Sequence, residues 1–422
     1  MTVRQSARIL IVNPAFMLPP VFPVGLEYNA EALVRDGHDI EIVDLANLAD
    51  GAAAPYPDGY GIDLIFVVVR NLDIGPGNVD SALPQTRRLV SELRERYPLV
   101  PIAIAGAAIN AVPDPMRRYL GADYAIASKG HNAARMLVRH VLNGEAAAAP
   151  VFEDYSDTIN GVYERPYVEK SKYRDHPIGI ATHFGCPFRC QYCNYPAVEG
   201  FRITHRSPAD VVAEIRNLKR QGVKRVFFCD SVFNVPVKAA TALLREIINS
   251  GVEIEWDGFF NPHPNAFTPE FIDVAMASGR KRFHFGVDSL ADPVLFAIHK
   301  GYTVADVQRA VDMCHERGAP VSCSLLFGHP SETVDTVRRS FEACDVMGFD
   351  AVDVTERVRI YPRTELARIA VKQGVITDSP DELLFPTFYP VSDAVLAEVV
   401  EQTEKRAGVA REPGVDQYIY ST

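Results

Sequence analysis

At 422 residues the chain is long enough for two or three domains with cores of their own. Hydrophobic content of 47% and charged content of 23% are those of an ordinary globular protein. A formal net charge of −11 argues against nucleic acid or an anionic membrane as a general partner, and no apolar run reaches bilayer-spanning length.

Met1–Arg8 carries two arginines, but Ile9–Val12 is a strand-length apolar run, not the core of an export signal. Arg8-Ile-Leu-Ile-Val-Asn13-Pro14 reads as a buried strand ending in a turn. Gly25–Asp36 has apolar residues at helical spacing (Leu26, Ala30, Leu33, Val34) and stops at Gly37. Strands follow at His38–Leu45, Asp63–Val69, Pro101–Ala105 and Asp123–Ala127, with helices at Gln85–Tyr97, Asp114–Leu120 and Asn132–Leu142. This alternation predicts a doubly wound, Rossmann-like parallel sheet over residues 1–145, which binds ligands at the C-terminal ends of its strands.

Asn13-Pro14, Pro23-Val-Gly-Leu, Asp36-Gly-His-Asp-Ile-Glu-Ile-Val-Asp44 and Gly121-Ala-Asp-Tyr124 resemble the N-terminal cobalamin-binding domain of B12-binding radical S-adenosylmethionine (SAM) proteins. Three departures stand out. The D-x-H-x-x-G motif, whose histidine ligates cobalt in the wider family, is absent; Val69-Arg70-Asn71-Leu72-Asp73 stands where that loop should lie. The usual Gly-Gly after the fourth strand is Gly106-Ala107, and the acidic turn is Lys129-Gly130-His131-Asn132. Ala107 and Ala108 are expected to narrow the slot for the cofactor's nucleotide tail. Bound cobalamin is accordingly not the favoured expectation, and His38 and His131 read as turn residues.

Residues 146–177 read as a linker, with four tyrosines scattered among prolines and charges. From 178 the alternation restarts, giving strands at Gly179–His183, Val223–Phe228, Val252–Trp256, Arg282–Val287, Pro320–Leu326 and Ala351–Ile360. Helices separate them; Thr268-Pro269-Glu270 carries a capping hydroxyl before a proline at the first helical position. A tail over 371–422 holds a helix near Asp393–Arg406.

Between the first of these strands and its helix lies Cys186-Pro-Phe-Arg-Cys190-Gln-Tyr-Cys193. Three thiolates this close can hold three irons of a four-iron–four-sulfur (4Fe-4S) cluster and leave the fourth iron open. Structural zinc wants four closed ligands, for which His183 is the one nearby candidate, and a disulfide would strand one cysteine. The C-x3-C-x2-C spacing, with Tyr192 beside the last cysteine, resembles the signature of the radical SAM superfamily. That resemblance implies an open, partial (β/α)6 barrel over 178–370. It also implies a 4Fe-4S cluster on Cys186, Cys190 and Cys193, and SAM chelating the open iron. Reduced thiols and an oxygen-sensitive cofactor then point to the cytoplasm.

Further motifs support the resemblance. Cys229-Asp230-Ser-Val-Phe-Asn234 resembles the family's D-x-x-F-N loop, and implies Asp230 and Asn234 at the SAM amino group. Gly286-Val-Asp288-Ser289 with Lys300-Gly301 resembles the strand-four G-[IV]-[ED]-S…K-G pattern, and Phe327-Gly328-His-Pro330-Ser-Glu332-Thr333 the F-G-x-P-x-E-T loop that contacts adenine. Arg357 and Arg359 resemble the strand-six segment where a cation can face the SAM carboxylate; two residues apart, they share a face. Asp288 and Glu332 have an alternative reading as helix caps. Glu356 and Asp353 are candidate acid–base groups, and Cys323 a candidate hydrogen-atom donor or buried structural thiol.

The implied activity is reductive cleavage of SAM to a 5′-deoxyadenosyl radical that abstracts hydrogen from a small molecule. The expected outcome is dehydration or deoxygenation of the kind performed on aminoglycoside-type sugars. The alternative is a cobalamin-dependent radical C-methyltransferase, and a scaffold using the cluster structurally is a third reading. An electron donor such as flavodoxin, ferredoxin or a reductase is the implied protein partner.

Overall fold

The computed structural model describes residues 5–16, 20–46, 48, 54–70, 81–144, 149–156, 158–173, 176–407 and 417–420. The first strand shows why the N-terminal unit is layered. In β1 (Arg8–Asn13) Ile9 and Ile11 face one apolar cluster while Leu10 and Val12 face another, and all four are fully buried. A strand apolar on both faces must be covered by helices on both sides, the condition of a parallel sheet.

Around β1 stand β2 (Asp39–Asp44), β3 (Leu64–Val68), β4 (Ile102–Ala105), β5 (Tyr124–Ser128) and β6 (Val151–Asp154). They form one parallel sheet in the order β2-β1-β3-β4-β5-β6. Helices α1 (Val24–Arg35) and α4 (Asn132–Asn143) contribute to the core shared with the rest of the chain, and α2 (Leu83–Arg96) and α3 (Pro113–Leu120) to the other. The sixth strand comes from the stretch expected as linker. Its four residues have no readable period, and only pairing with β5 makes them a strand.

The second unit is a parallel barrel split in two arcs. One arc is β7 (Ile178–Ile180), β10 (Arg225–Phe228) and β11 (Glu255–Asp257); the other is β12 (Phe283–Asp288), β13 (Val321–Leu326) and β14 (Ala351–Thr355). A bridge between Phe260 and Phe285 joins them. Helices α6 (Pro208–Arg220), α7 (Val237–Asn249), α8 (Pro269–Ala277), α9 (Asp292–Ala297), α10 (Val304–His315) and α11 (Val334–Met347) connect the strands. Thr268, Thr303 and Thr333 cap three of these, each side chain accepting from a backbone N–H three residues on.

The expected first barrel strand is broken. The Asp230 carboxylate accepts from the Thr182 and His183 backbone N–H groups (2.8 and 3.0 Å) and from the Thr182 hydroxyl, which withdraws those donors from the β-ladder. The chain resumes as β8 (His183–Phe184), antiparallel to β9 (Thr204–His205), so a hairpin carries the cysteine loop and the short helix α5 (Tyr195–Glu199). Beyond β14 come α12 (Glu365–Lys372), capped by Thr364, then α13 (Asp393–Ala407) and β15 (Gln417–Tyr420), antiparallel to β14. The sixth barrel strand therefore ends at Thr355 rather than Ile360. Among the described residues no helix is long and apolar enough to cross a membrane.

Arg165 of the connecting segment clamps the two units. It is fully buried; Nε donates to Glu27 of α1 (2.9 Å), and one terminal nitrogen to Glu214 of α6 (2.9 Å) and the Gly179 carbonyl (2.7 Å). Tyr28 of α1 also donates to Glu214 (2.7 Å), to which Arg206 pairs at 2.7 Å. Burying such charges is costly unless each is matched, and here carboxylates from both units match them.

Candidate active site

The three cysteines lie on one loop whose path is fixed by its backbone. Gly185 opens it at φ +95°, and a Cβ there would stand 2.2 Å from the Arg202 carbonyl oxygen, so the turn requires glycine. Backbone bonds pin the loop: Cys186 N–H to the Gly200 carbonyl (3.0 Å), Gln191 N–H to Ile298 (3.1 Å) and Cys193 N–H to Cys190 (3.1 Å). The Leu366 N–H of α12 donates to the Gln191 carbonyl at 2.8 Å. Burial raises all three thiol pKa values, that of Cys193 to about 12, and the Cys190 and Cys186 sulfurs stand close enough to contribute. Among the described residues no three His, Cys, Asp or Glu side chains converge as ligands of a single ion. A cluster binds its thiolates on three different irons and needs no such convergence. This donor set fits a 4Fe-4S cluster, which when bound supplies one open iron and an electron.

Beside the loop, sequence-distant residues form a buried charged group. The Tyr192 hydroxyl donates to Asp288, whose carboxylate pairs with Lys300 Nζ at 2.6 Å; Lys300 also donates to the Gly286 carbonyl (2.8 Å). Burial is the largest influence on Lys300 and opposes its charge, but Asp288, Tyr192, Tyr302 and Cys190 together outweigh it and hold the ammonium pKa well above its ordinary value. Tyr192 is pushed well above its usual range, by burial and then by Asp288. Asp288 sits at φ +66°, a strained position for a residue with a side chain, at the last position of β12. The His329 ring lies 5.3 Å from that of Tyr192, 3% exposed, with neither nitrogen in a well-formed hydrogen bond; burial lowers its pKa to about 4. In the sequence Lys300 is marked only by the K-G of the strand-four pattern and His329 by nothing of its own; the fold brings both to Tyr192 and Asp288.

Other expected site residues are placed differently. The Asp230 carboxylate braces the Thr182–His183 backbone. Asn234 is fully buried and joins the Asn261 and Ala266 carbonyls (2.9 Å each) and the Asn261 N–H (2.8 Å), so it fixes a loop. Ser289 bonds the Ala291 N–H and lies 3.2 Å from the Ser340 hydroxyl, inside the packing of α9 against α11. Gly328 lies against the Glu356–Arg357 backbone, where a Cβ would meet Arg357 Cα at 3.3 Å. Glu356 is fully buried; Arg359 is buried with its guanidinium over the Tyr361 ring (4.8 Å), and Arg357 is half-buried. Of the two readings of Cys323, its full burial favours the structural thiol. Along β13 it belongs to the alternate set, with Val321 and Leu325, that packs fully buried in the core, and it adjoins Cys344 of α11. Asp353 turns to Ser324 (3.3 Å) in mid-barrel. His183 faces Asp230 and His205, and His131 is buried between Asn29 (3.1 Å) and Tyr163 (2.9 Å).

A cavity of about 260 Å³ runs from the C-terminal edge of the N-terminal sheet to the cysteine hairpin. Phe66, Val68 and Ala105 line it from the sheet, and Phe184, Glu199 and Cys229 from the barrel. Gly106 is part of its wall at φ +120°, and any side chain there would collide with the Val69 carbonyl at 2.5 Å. Ala107 borders the cavity, and Ala108 is buried and is not among its lining residues. Arg70 also lines it, while Asn71, Leu72 and Asp73 lie outside the described residues.

Residues 180–344 match the Radical SAM superfamily. The chain is 22% identical to tryptophan 2-C-methyltransferase of Streptomyces laurentii, over 87% of this chain and 75% of that protein. An uncharacterized methyltransferase of Pyrococcus horikoshii is 23% identical over 84% and 79% of the two chains. Among solved structures, the radical SAM methyltransferase TsrM of Kitasatospora setae, with tryptophan and a SAM analogue bound, superposes with a TM-score of 0.82, covering 94% of this chain and 88% of that one at 22% identity. The cobalamin-dependent SAM radical enzyme OxsB superposes with a TM-score of 0.63, covering 99% and 64% at 13% identity.

Proposed function

From the premise that this chain is a radical SAM enzyme, its radical SAM domain following a B12-binding-type sheet, we propose that it is a cobalamin-dependent C-methyltransferase acting on a small molecule. The observation that carries this reading is the cavity between the sheet edge and the cysteine hairpin. It lies at the C-terminal ends of parallel strands, where open α/β sheets take their ligands, and it opens toward the loop that would hold the cluster. Its apolar walls and the glycine at 106 suit a flat macrocycle with a tail reaching toward the sheet. When bound, cobalamin supplies a carrier for a methyl group. This reading takes the place of cobalamin-free dehydration, and the methyltransferase names of the relatives support it.

The residues divide the work. Cys186, Cys190 and Cys193 would hold the cluster, and the hairpin excludes water from its buried side. Tyr192, Asp288 and Lys300 fix the loop and present a charged group beside the open iron for the polar end of SAM. Neutral His329, wedged against Tyr192, can accept a proton at one ring nitrogen and donate from the other. A one-electron donor protein belongs to the proposal. The test is cobalt and iron analysis of protein made anaerobically with hydroxocobalamin supplied. About one cobalamin per chain is expected, falling severalfold in Gly106→Val; a wild-type chain without cobalt, forming 5′-deoxyadenosine unaided, would return the reading to cobalamin-free radical chemistry.

A further inference from the structure

Among the described residues the cysteine loop is covered on three sides. Tyr192, Asp288 and Lys300 close it inward, and α12 holds it through the Leu366 N–H. Toward the apolar cavity, Glu199 of α5 turns onto the Gly185 N–H at 3.1 Å. The fourth side faces solvent, where Pro187 and Arg189 are exposed. An electron tunnels with a probability that falls steeply with distance, so a donor must approach where the least protein covers the cluster.

The rim of that open side has a composition of its own. Residues 200–202 pack on one flank of the loop, the Gly200 carbonyl accepting from the Cys186 N–H. Residues 297–299 pack on the other, the Ala297 and Ile298 carbonyls accepting from Gln191. Each flank carries an exposed aromatic ring: Phe201 is 50% exposed, and Phe296 86%. The Arg189 guanidinium lies over the Phe201 ring at 4.7 Å, and Arg202 is exposed next to that ring in the chain. Neither arginine has a carboxylate partner among the described residues. Three acids belong to the hairpin, to α9 and to the first turn of α12. Glu199 is turned inward, Glu365 faces His299 Nδ1 at 3.4 Å, and Asp292, at the far end of α9, accepts from the Val304 N–H. Exposed Arg363 and Arg368, before and within α12, offset the latter two. The rim is therefore cationic and aromatic on a chain of net charge −11. Aromatic residues and arginine are the types in which protein interfaces are enriched.

We propose that this rim docks a small acidic one-electron carrier protein. Arg189 and Arg202 meet its carboxylates, and Phe201 and Phe296 meet the apolar surface around its redox group. The negative charge of the rest of the chain repels such a partner elsewhere and so orients it. One electron passes: a flavin hydroquinone anion becomes the neutral semiquinone, the oxidised cluster gains that electron, and no proton moves. The inference rests on the cluster-bearing reading of the loop and is independent of cobalamin.

The experiment titrates an acidic flavodoxin calorimetrically into the anaerobically reconstituted full chain, at low and at high salt. Reduction of the cluster by flavodoxin hydroquinone is followed by electron paramagnetic resonance, with dithionite as the small-molecule control. Arg189→Glu/Arg202→Glu should weaken binding at least about tenfold and remove most of its salt dependence. It should also slow reduction by flavodoxin while dithionite reduces the variant as it does wild type. Because Arg189 adjoins a cysteine ligand, Phe296→Ser is the second variant, expected to bind severalfold more weakly with iron content and salt dependence kept. Unchanged affinity in both variants, no binding of flavodoxin to wild type, or tighter binding of the basic carrier cytochrome c overturns the proposal. Flavodoxin that binds a chain whose cluster dithionite cannot reduce would sink the cluster reading, and the electron route with it.

Discussion

Replacing Lys300 by methionine tests whether the Tyr192–Asp288–Lys300 group holds the cysteine loop in place. The lysine side chain is 9% exposed and that of Asp288 8%. Methionine keeps the length of the stem and removes only the cation, leaving a buried carboxylate that still accepts from Tyr192. Removing one partner of a buried pair costs about 3–5 kcal/mol, because the other charge is left uncompensated. At 1.4 kcal/mol per factor of ten, that is roughly two to three and a half orders of magnitude in the local folding equilibrium. Because Asp288 bonds the residue next to Cys193, the loss should appear first in the cluster loop. We expect iron per chain after anaerobic reconstitution to fall steeply, and the apoprotein to melt several degrees lower. Lys300→Met/Asp288→Asn removes both charges and should recover much of each quantity, since replacing a buried pair as a unit is far less costly. A single variant that keeps wild-type iron content and melting temperature would refute the reasoning, as would a double variant no better than the single.

Alanine at Cys186, Cys190 or Cys193 should each abolish the iron–sulfur absorbance, whereas Cys229→Ala, at the wall of the apolar cavity, should retain it; equal loss at Cys229 would mean a different ligand set. Glu332, whose Oε2 is buried without a partner, has its pKa raised by burial from 4.5 to about 7. Its folded state thus favours the proton: no penalty below about pH 4.5, and a penalty growing to ~3 kcal/mol above pH 7. Glu332→Gln should therefore match wild type near pH 5 and exceed it near pH 8 in thermal melts; the opposite trend counts against a buried carboxyl. Arg165→Met removes one of two cations from each of Glu27 and Glu214, which keep Lys170 and Arg206, and should cost about 1.5–3 kcal/mol, read as faster proteolysis of the 158–173 segment; unchanged protection would show that the clamp contributes little.

The sequence alone determined the two alternating α/β units, because runs such as Ile9–Val12 and Val321–Leu326 are apolar enough to require burial and short enough to be strands. It also determined the chemistry of the cysteine loop, since three thiols spaced at 186, 190 and 193 are a covalent fact of the chain. Spacing says nothing about where a carboxylate points. Asp230, Asn234 and Ser289 sit in motif positions, yet their side chains are taken up by nearby backbone and neighbouring loops, and the alternation of β13 turns Cys323 into the core. Whether Ala107 closes a slot likewise depends on the separation of two packed units, which is set by contacts more than a hundred residues apart, such as Arg165 with Glu27. Lys300 meets Asp288, and His284 meets Asp353, only because parallel strands are brought into register by the helices between them. Local sequence chooses the elements and the reactive atoms; burial of both faces of the sheet and the long-range register decide which of those atoms meet.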